Sequence, residues 1–269
     1  MKTKNKILIA KYISKFITFF ISKDQIVFRD KIKWSLNLEE GIDLSIYLFG
    51  TSEKKISNLK KLLSKKKTEL TIIDIGANIG SVSLVIARMF ENSKIFAIEP
   101  TDYAFNKLSN NLKLNKDLQN RVNLRQKFIT NEKKPNMVWS SWNLQQKNNK
   151  HHKHLGTLKE IKEDSYLKLN EFVNIENIKH IDFIKLDVDG YELDVLKSGE
   201  DFLKKNKPVI FIEIAPYLYP EFGYKCNELI NFIQKLNYNF YDDNLKKIRD
   251  IFTIIDKMKD GSSKNFFLI

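Results

Sequence analysis

Seven residues, Asp74-Ile75-Gly76-Ala77-Asn78-Ile79-Gly80, limit what this chain can become more than any other feature. Ahead of them Thr71-Ile-Ile-Asp-Ile75 reads as a buried strand, and behind them Ser81 to Phe90 carries apolar residues at helical spacing. A strand that turns through glycines straight into a helix is the first half of a right-handed crossover, and crossovers impose parallel pairing. The rhythm then repeats. Strands are predicted at 94–98, 122–129, 181–188 and 209–214, with helices at 103–114, 192–203 and 228–236. Residues 238–241 and 265–269 read as two more strands that close the sheet as an antiparallel pair. The expectation is an α/β fold with a seven-stranded, mostly parallel sheet and helices on both faces.

At 269 residues the chain holds one such domain, assigned to residues 51–269, with an extension at residues 1–50. The extension reads as an amphipathic helix over about residues 6 to 21, then two short strands, Gln25–Phe28 and Lys31–Leu38, then a helical stretch to Leu48. Lys11 and Lys15 interrupt the apolar run, and its clean remainder, Phe16 to Ile21, is far shorter than the roughly 20 residues a spanning helix needs. No A-x-A cleavage site follows. Two readings of the helix stay open. It packs on the domain or on a second copy, giving a homodimer, or it makes peripheral contact with an anionic membrane through residues 6–21. Cys226 is the single cysteine, so no internal disulfide exists, and a reducing cytoplasm is the default compartment, on the inner membrane face if the helix docks there.

The net charge is +13, which ordinarily raises nucleic acid as a partner. Only five of the 46 basic residues are arginine, whose planar fork is the usual reader of bases and phosphates, so a lysine-rich solvated surface is the better account. Residues 131–177 escape the alternation. They carry Trp139, Trp142 and His151-His152-Lys153-His154, but no carboxylate at matching spacing, so the stretch reads as a mobile loop rather than a metal site and as the place to look for acceptor contacts.

The loop at 74–80 sits where an α/β sheet binds nucleotide-like ligands. It is not a full G-x-G-x-x-G, because Asn78 stands at the second glycine. Asp74 opens the loop with a carboxylate, which favours a ligand bearing a cationic amino group over a pyrophosphate. Glu99 ends the second strand 23 residues past Gly76, where a carboxylate can accept from ribose hydroxyls. On the strand ending at Asp189, alternation puts Lys185, Asp187 and Asp189 on one side. Lys185 beside several carboxylates should stay charged and hold them ionised.

Four stretches in this order, Asp-Ile-Gly-Ala-Asn-Ile-Gly (74–80), Ala-Ile-Glu-Pro (97–100), Ile-Lys-Leu-Asp-Val-Asp-Gly-Tyr-Glu (184–192) with Val195-Leu-Lys-Ser-Gly199, and Pro-Val-Ile-Phe-Ile-Glu (208–213), resemble the FkbM-type family of S-adenosylmethionine-dependent methyltransferases. The resemblance covers roughly residues 50 to 240, and the preamble from Trp34 to Glu53 is similar to what precedes that domain in many members. It implies a class I methyltransferase, Rossmann-like fold and, usually, methyl transfer to oxygen on a sugar or polyketide hydroxyl. Two departures stand out. Lys127-Phe-Ile-Thr130 has no acidic residue for the adenine amine, which leaves Phe128 and backbone for that task, and the usual Thr-Leu-Asp appears as Glu163-Asp164-Ser165.

The expected site therefore has S-adenosyl-L-methionine held by Asp74, Gly76, Ala77, Asn78, Gly80, Glu99, Phe128 and Asp187. Asp187 is the base or acceptor-orienting carboxylate, Lys185 its electrostatic partner, and Glu192 and Glu213 the ligands of a small-molecule or glycan acceptor. Nucleic-acid methylation is the weaker alternative, because the fourth strand ends Asp-Val-Asp-Gly where amino-group methylases carry Asn/Asp-Pro-Pro-Tyr/Phe. A dinucleotide-dependent oxidoreductase or a non-catalytic module on the same scaffold is the other.

Overall fold

Leu70-Thr-Ile-Ile-Asp-Ile75 has almost no polar side to give to water, and it lies in the interior of a seven-stranded sheet with both faces covered. The structure, a computed structural model, describes residues 3–51, 56–64, 69–132, 137–140, 144, 157–161 and 165–269. Helix α1 is Thr3–Phe20, followed by a hairpin of β1 (Asp24–Arg29) and β2 (Ile32–Asn37), α2 (Gly41–Phe49) and α3 (Leu59–Leu63). The sheet then begins: β3 (Leu70–Ile75), α4 (Ser83–Met89), β4 (Ser93–Ile98), α5 (Asp102–Leu114) and β5 (Val122–Arg125). Short strands β6 (Phe128–Ile129), β7 (Met137–Ser140), β8 (Thr157–Glu160) and β9 (Tyr166–Leu167) come next. The chain returns to the sheet through α6 (Leu169–Ile175), β10 (Phe183–Leu186), α7 (Glu192–Ser198), α8 (Glu200–Asn206) and β11 (Val209–Ile214). It ends with α9 (Cys226–Lys235), β12 (Phe240–Tyr241), α10 (Ile251–Asp256) and β13 (Lys264–Leu268).

The strand order is β12-β13-β11-β10-β3-β4-β5, parallel except where β13 pairs antiparallel with both β11 and β12. This is the Rossmann-like, class I methyltransferase sheet that the resemblance implies. Period-two alternation sorts the core. Ile73, Ile75, Ile184, Leu186, Ile210 and Ile212 face α6, α7 and α9, while Ile72, Ile95, Ala97, Phe183 and Phe211 face α4, α5 and the hairpin. Hairpin residues Ile32, Trp34 and Leu36 are buried in this second cluster, which ties the start of the chain to the sheet.

The structure departs from the sequence expectations in four places. The strand expected over 122–129 stops at Arg125, and Phe128–Ile129 leaves the sheet to pair parallel with β9. The helix expected over 192–203 breaks at Gly199, where a Cβ would lie 2.5 Å from the Leu169 side chain. The short helices α3 and α10 have no counterpart in the sequence reading. Within 131–177 the described residues form the β7–β8 antiparallel hairpin and α6, whereas Trp142, the His151–His154 run, Glu163 and Asp164 lie outside the described residues. Among the described residues no helix is long and apolar enough to cross a membrane.

Candidate active site

The chain leaves β3 to build β4 on one side and later places β10 on the other, so the carboxyl ends of these three strands flank the switch point where α/β sheets open a crevice. An open cleft lies there, at the place where such sheets bind their ligands. Gly76, Asn78, Glu99, Phe128 and Asp187, all singled out from sequence, line it, and so do Ile98, Pro100, Lys127, Ile129, Val138 and Asp189.

The 74–80 loop folds on itself. Gly76 and Ala77 both donate their N–H to the Ile98 carbonyl, at 3.0 and 2.9 Å, and the Asn78 N–H donates to Glu99 Oε2 at 3.0 Å. These donors, expected to face a ligand, instead clamp the β3 and β4 ends together. Gly76 has φ +79°, and a Cβ there would stand 2.0 Å from the Asp187 carbonyl oxygen, so glycine is required by that close approach. Ala77 is buried in the core, and Gly80 abuts Leu84 and Leu108 rather than the cleft.

Asp74 is also placed differently from expectation. It is fully buried, its Oδ2 accepts from Ser83 Oγ at 2.6 Å and its Oδ1 faces the Lys185 ammonium at 3.4 Å, so its charge is answered inside the protein rather than in the cleft. The cause is register: Asp74 and Lys185 are opposite partners on β3 and β10.

Glu99 does face the cleft. Its Oε1 accepts from the Thr101 N–H and Oγ1 at 3.0 and 2.6 Å, and Oε2 from Asn78. Of the about four acceptor positions on a carboxylate, this leaves about one for a ligand hydroxyl, not the two expected. Burial raises the Glu99 carboxyl above its ordinary range, and the Thr101 and Asn78 hydrogen bonds and the Lys185 charge oppose that rise.

The carboxylates at the ends of β10 and β11 gather as the sequence suggested. Lys185, 5% exposed, donates to the Gly76 carbonyl at 2.7 Å and sits 3.5 Å from Asp187 Oδ2. Burial alone would lower this ammonium, but Asp187, Asp74 and Glu213 outweigh it and hold Lys185 charged. Asp187, Asp189 and Glu213 each offer an oxygen within 4.8 Å of the others, a set of hard oxygen donors of the kind a divalent cation takes. Without a cation, such close carboxylates favour a shared proton. Burial, and next the Asp187 and Asp189 charges, push Glu213 well above the usual carboxylate range, and it shares a hydrogen bond with Asp187 while accepting from Ser263 Oγ at 2.7 Å. Glu213 thus lies behind Asp187, not on the cleft wall.

Glu192 does not reach an acceptor. It is 2% exposed and turns back under its own loop, where Oε1 accepts from the Val188 and Gly190 N–H groups at 3.2 and 3.3 Å and Oε2 has no partner among the described residues. Burial pushes its carboxyl up to about 8.

Phe128, 4% exposed, is gripped edge-on by Tyr166 and Tyr191, with ring centroids 5.6 and 4.9 Å away, and Tyr191 in turn packs on Phe222 at 4.6 Å. This aromatic wall was missed from sequence because its members come from four separate segments that share no spacing. Asn78 carried one usable signal, since asparagine is among the few residues that accept its left-handed φ of +51°.

A family model, the Methyltransferase FkbM domain, matches residues 74–240. Methyltransferase sdnD of Sordaria araneosa is 28% identical over 157 residues, which is 48% of this chain and 60% of that relative. The chain therefore spans about three fifths of the length of the curated relative it matches. Among solved structures, the methyltransferase FkbM of Methylobacillus flagellatus KT shares 15% identity over 75% of this chain and 44% of its own, with a TM-score of 0.46. The METTL16 MTase domain shares 15% identity over 96% of this chain and 78% of its own, with a TM-score of 0.49. The family match begins at the Asp74 loop and takes in every residue lining the cleft; the chain belongs to the FkbM methyltransferase domain family.

Proposed function

We propose that this protein is an S-adenosylmethionine-dependent O-methyltransferase acting on a hydroxyl of a sugar, glycan or other small hydroxylated acceptor. The observation that carries the reading is Asp187: its side chain is 40% exposed and lines the cleft, with Lys185 and Glu213 arrayed behind it.

The cleft fits the cofactor chemically. Ile98, Phe128, Ile129 and Val138 offer an apolar slot suited to a purine, Glu99 keeps one acceptor position for a ribose hydroxyl, and Asp187 and Asp189 supply negative charge where a sulfonium would be stabilised. When bound, S-adenosylmethionine supplies an electrophilic methyl group. The protein's own task is then to orient an acceptor hydroxyl and to take its proton. Asp187 is placed to accept that proton at its exposed oxygen. Lys185 holds Asp187 in place and keeps the buried carboxylates from repelling it out of position. Glu213, its carboxyl raised by burial and by the Asp187 and Asp189 charges, shares a hydrogen bond with Asp187 and so helps to fix its orientation.

Calorimetry of the full chain with S-adenosylhomocysteine, against NAD as comparison, tests the cofactor; transfer of a labelled methyl group to a panel of monosaccharides and oligosaccharides tests the acceptor class. Asp187→Asn should abolish transfer while keeping S-adenosylhomocysteine affinity within a few-fold. NAD binding in place of the homocysteine adduct overturns the cofactor, and retained turnover in Asp187→Asn removes the proton acceptor.

A further inference from the structure

Helix α1 carries two apolar faces, and the fold uses only one. Ile7, Ala10 and Ile17 pack with Leu38, Leu44 and Leu144, and fully buried Ser14 donates Oγ to the Leu38 carbonyl at 2.8 Å, so one side of the helix is fixed on the domain. The other side leaves Leu8, Tyr12, Phe16, Phe19 and Phe20 exposed by 53, 67, 69, 82 and 67%. Steps of three and four residues place these side chains on one stripe along the helix. Phe20 meets Phe16 and Phe19 edge-on, with ring centroids 5.3 and 5.0 Å apart, so the stripe ends in an aromatic cluster. The hairpin that follows exposes Ile26 by 70% and Phe28 by 61%. Single exposed hydrophobic residues are ordinary on a protein surface, but a continuous aromatic stripe marks an interaction site.

Charge identifies the occupant. Residues 1–23 contain Lys2, Lys4, Lys6, Lys11, Lys15 and Lys23 and no aspartate or glutamate. A second copy would bring the same six lysines against these, which opposes self-association through this face. A surface that is apolar just below a negatively charged layer answers both the stripe and the lysines. Lysines interrupt the apolar run of α1, which is not long and apolar enough to span, and its inner side is held on the domain, so the outer stripe is presented along its length. We infer that the outer face of α1 docks the protein on an anionic lipid bilayer, with Phe16, Phe19 and Phe20 at the boundary of headgroups and acyl chains and Lys11 and Lys15 toward the headgroups. The inference stands on this face alone and does not depend on the methyl-transfer reading.

Flotation of the full chain with phosphatidylcholine vesicles, with and without about a third phosphatidylserine, tests it. Binding to the anionic vesicles is expected, weakening with added salt and falling by about tenfold or more in Phe16→Ser/Phe19→Ser/Phe20→Ser. All three positions are exposed, so the variant should keep the wild-type circular dichroism and melting temperature; Lys11→Glu/Lys15→Glu, which leaves the stripe intact, should weaken binding as well. No partition into anionic vesicles, or equal partition of wild type and both variants, overturns the proposal. So does a concentration-dependent dimer that the triple variant abolishes in the absence of vesicle binding.

Discussion

Replacing Glu192 by glutamine should flatten the pH dependence of stability on its alkaline side. The wild-type carboxyl is buried with one unpartnered oxygen, and burial lifts it from 4.5 to about 8. Between those values the folded state holds a proton that the unfolded state has lost, so stability falls as pH rises and stops falling once the folded carboxyl also ionises above about 8. Integrated from pH 6 to pH 9, at about 1.4 kcal/mol per unit, this single group removes about 3 kcal/mol. Glutamine cannot ionise, yet its side-chain oxygen can still accept from the Val188 and Gly190 N–H groups. Urea unfolding followed by circular dichroism at pH 6 and pH 9 reads the difference. Wild type should lose about 3 kcal/mol more than Glu192→Gln over that interval. Equal losses in the two proteins, within about 0.5 kcal/mol, would show that Glu192 is already ionised when buried, and the account of it as an internal brace would fail.

Two further outcomes follow from the charges and hydrogen bonds around the cleft. Lys185→Met leaves Asp74 buried without its cation and should cost about 3–5 kcal/mol in denaturant unfolding, whereas Lys185→Met/Asp74→Asn should recover most of it; a double variant no more stable than the single would mean the pair is not coupled. Glu99→Ala should raise the Kd for S-adenosylhomocysteine about 10- to 100-fold by calorimetry, since it removes a charged acceptor and frees Asn78 and Thr101, and a change below about threefold would take Glu99 out of the site.

The sheet was legible because its strands are apolar on both faces and separated by helical spacing, a pattern that admits little but parallel crossovers. The site was legible where it depends on strand ends: Glu99, Asp187 and the glycine at position 76 all come to the cleft. It was illegible where it depends on which residues face each other across strands. Asp74 and Glu192 look in sequence like cleft carboxylates, but the first is claimed by Lys185 from a strand more than a hundred residues later and the second by the amides of its own loop. Register and a reversed side-chain direction leave no trace in spacing. The exit of Phe128 from the sheet is similar, because its reason is the pairing with Tyr166 and the grip of Tyr191, contacts that no local pattern announces.

The contact between Gly76 and the Asp187 carbonyl bears on how a site of this kind can change its substrate. On the proposed reading, the cofactor side and the acceptor side of the cleft touch here through main chain, so neither loop has slack that a substitution could take up. A new acceptor cannot easily be accommodated by reshaping either loop alone. The adjustable parts are the walls that rest on this joint, Val138 from the β7–β8 hairpin and the ring of Phe222 behind Tyr191. Libraries aimed at altered acceptor choice should therefore vary those walls and leave residues 74–80 and 187–191 as a fixed hinge pin.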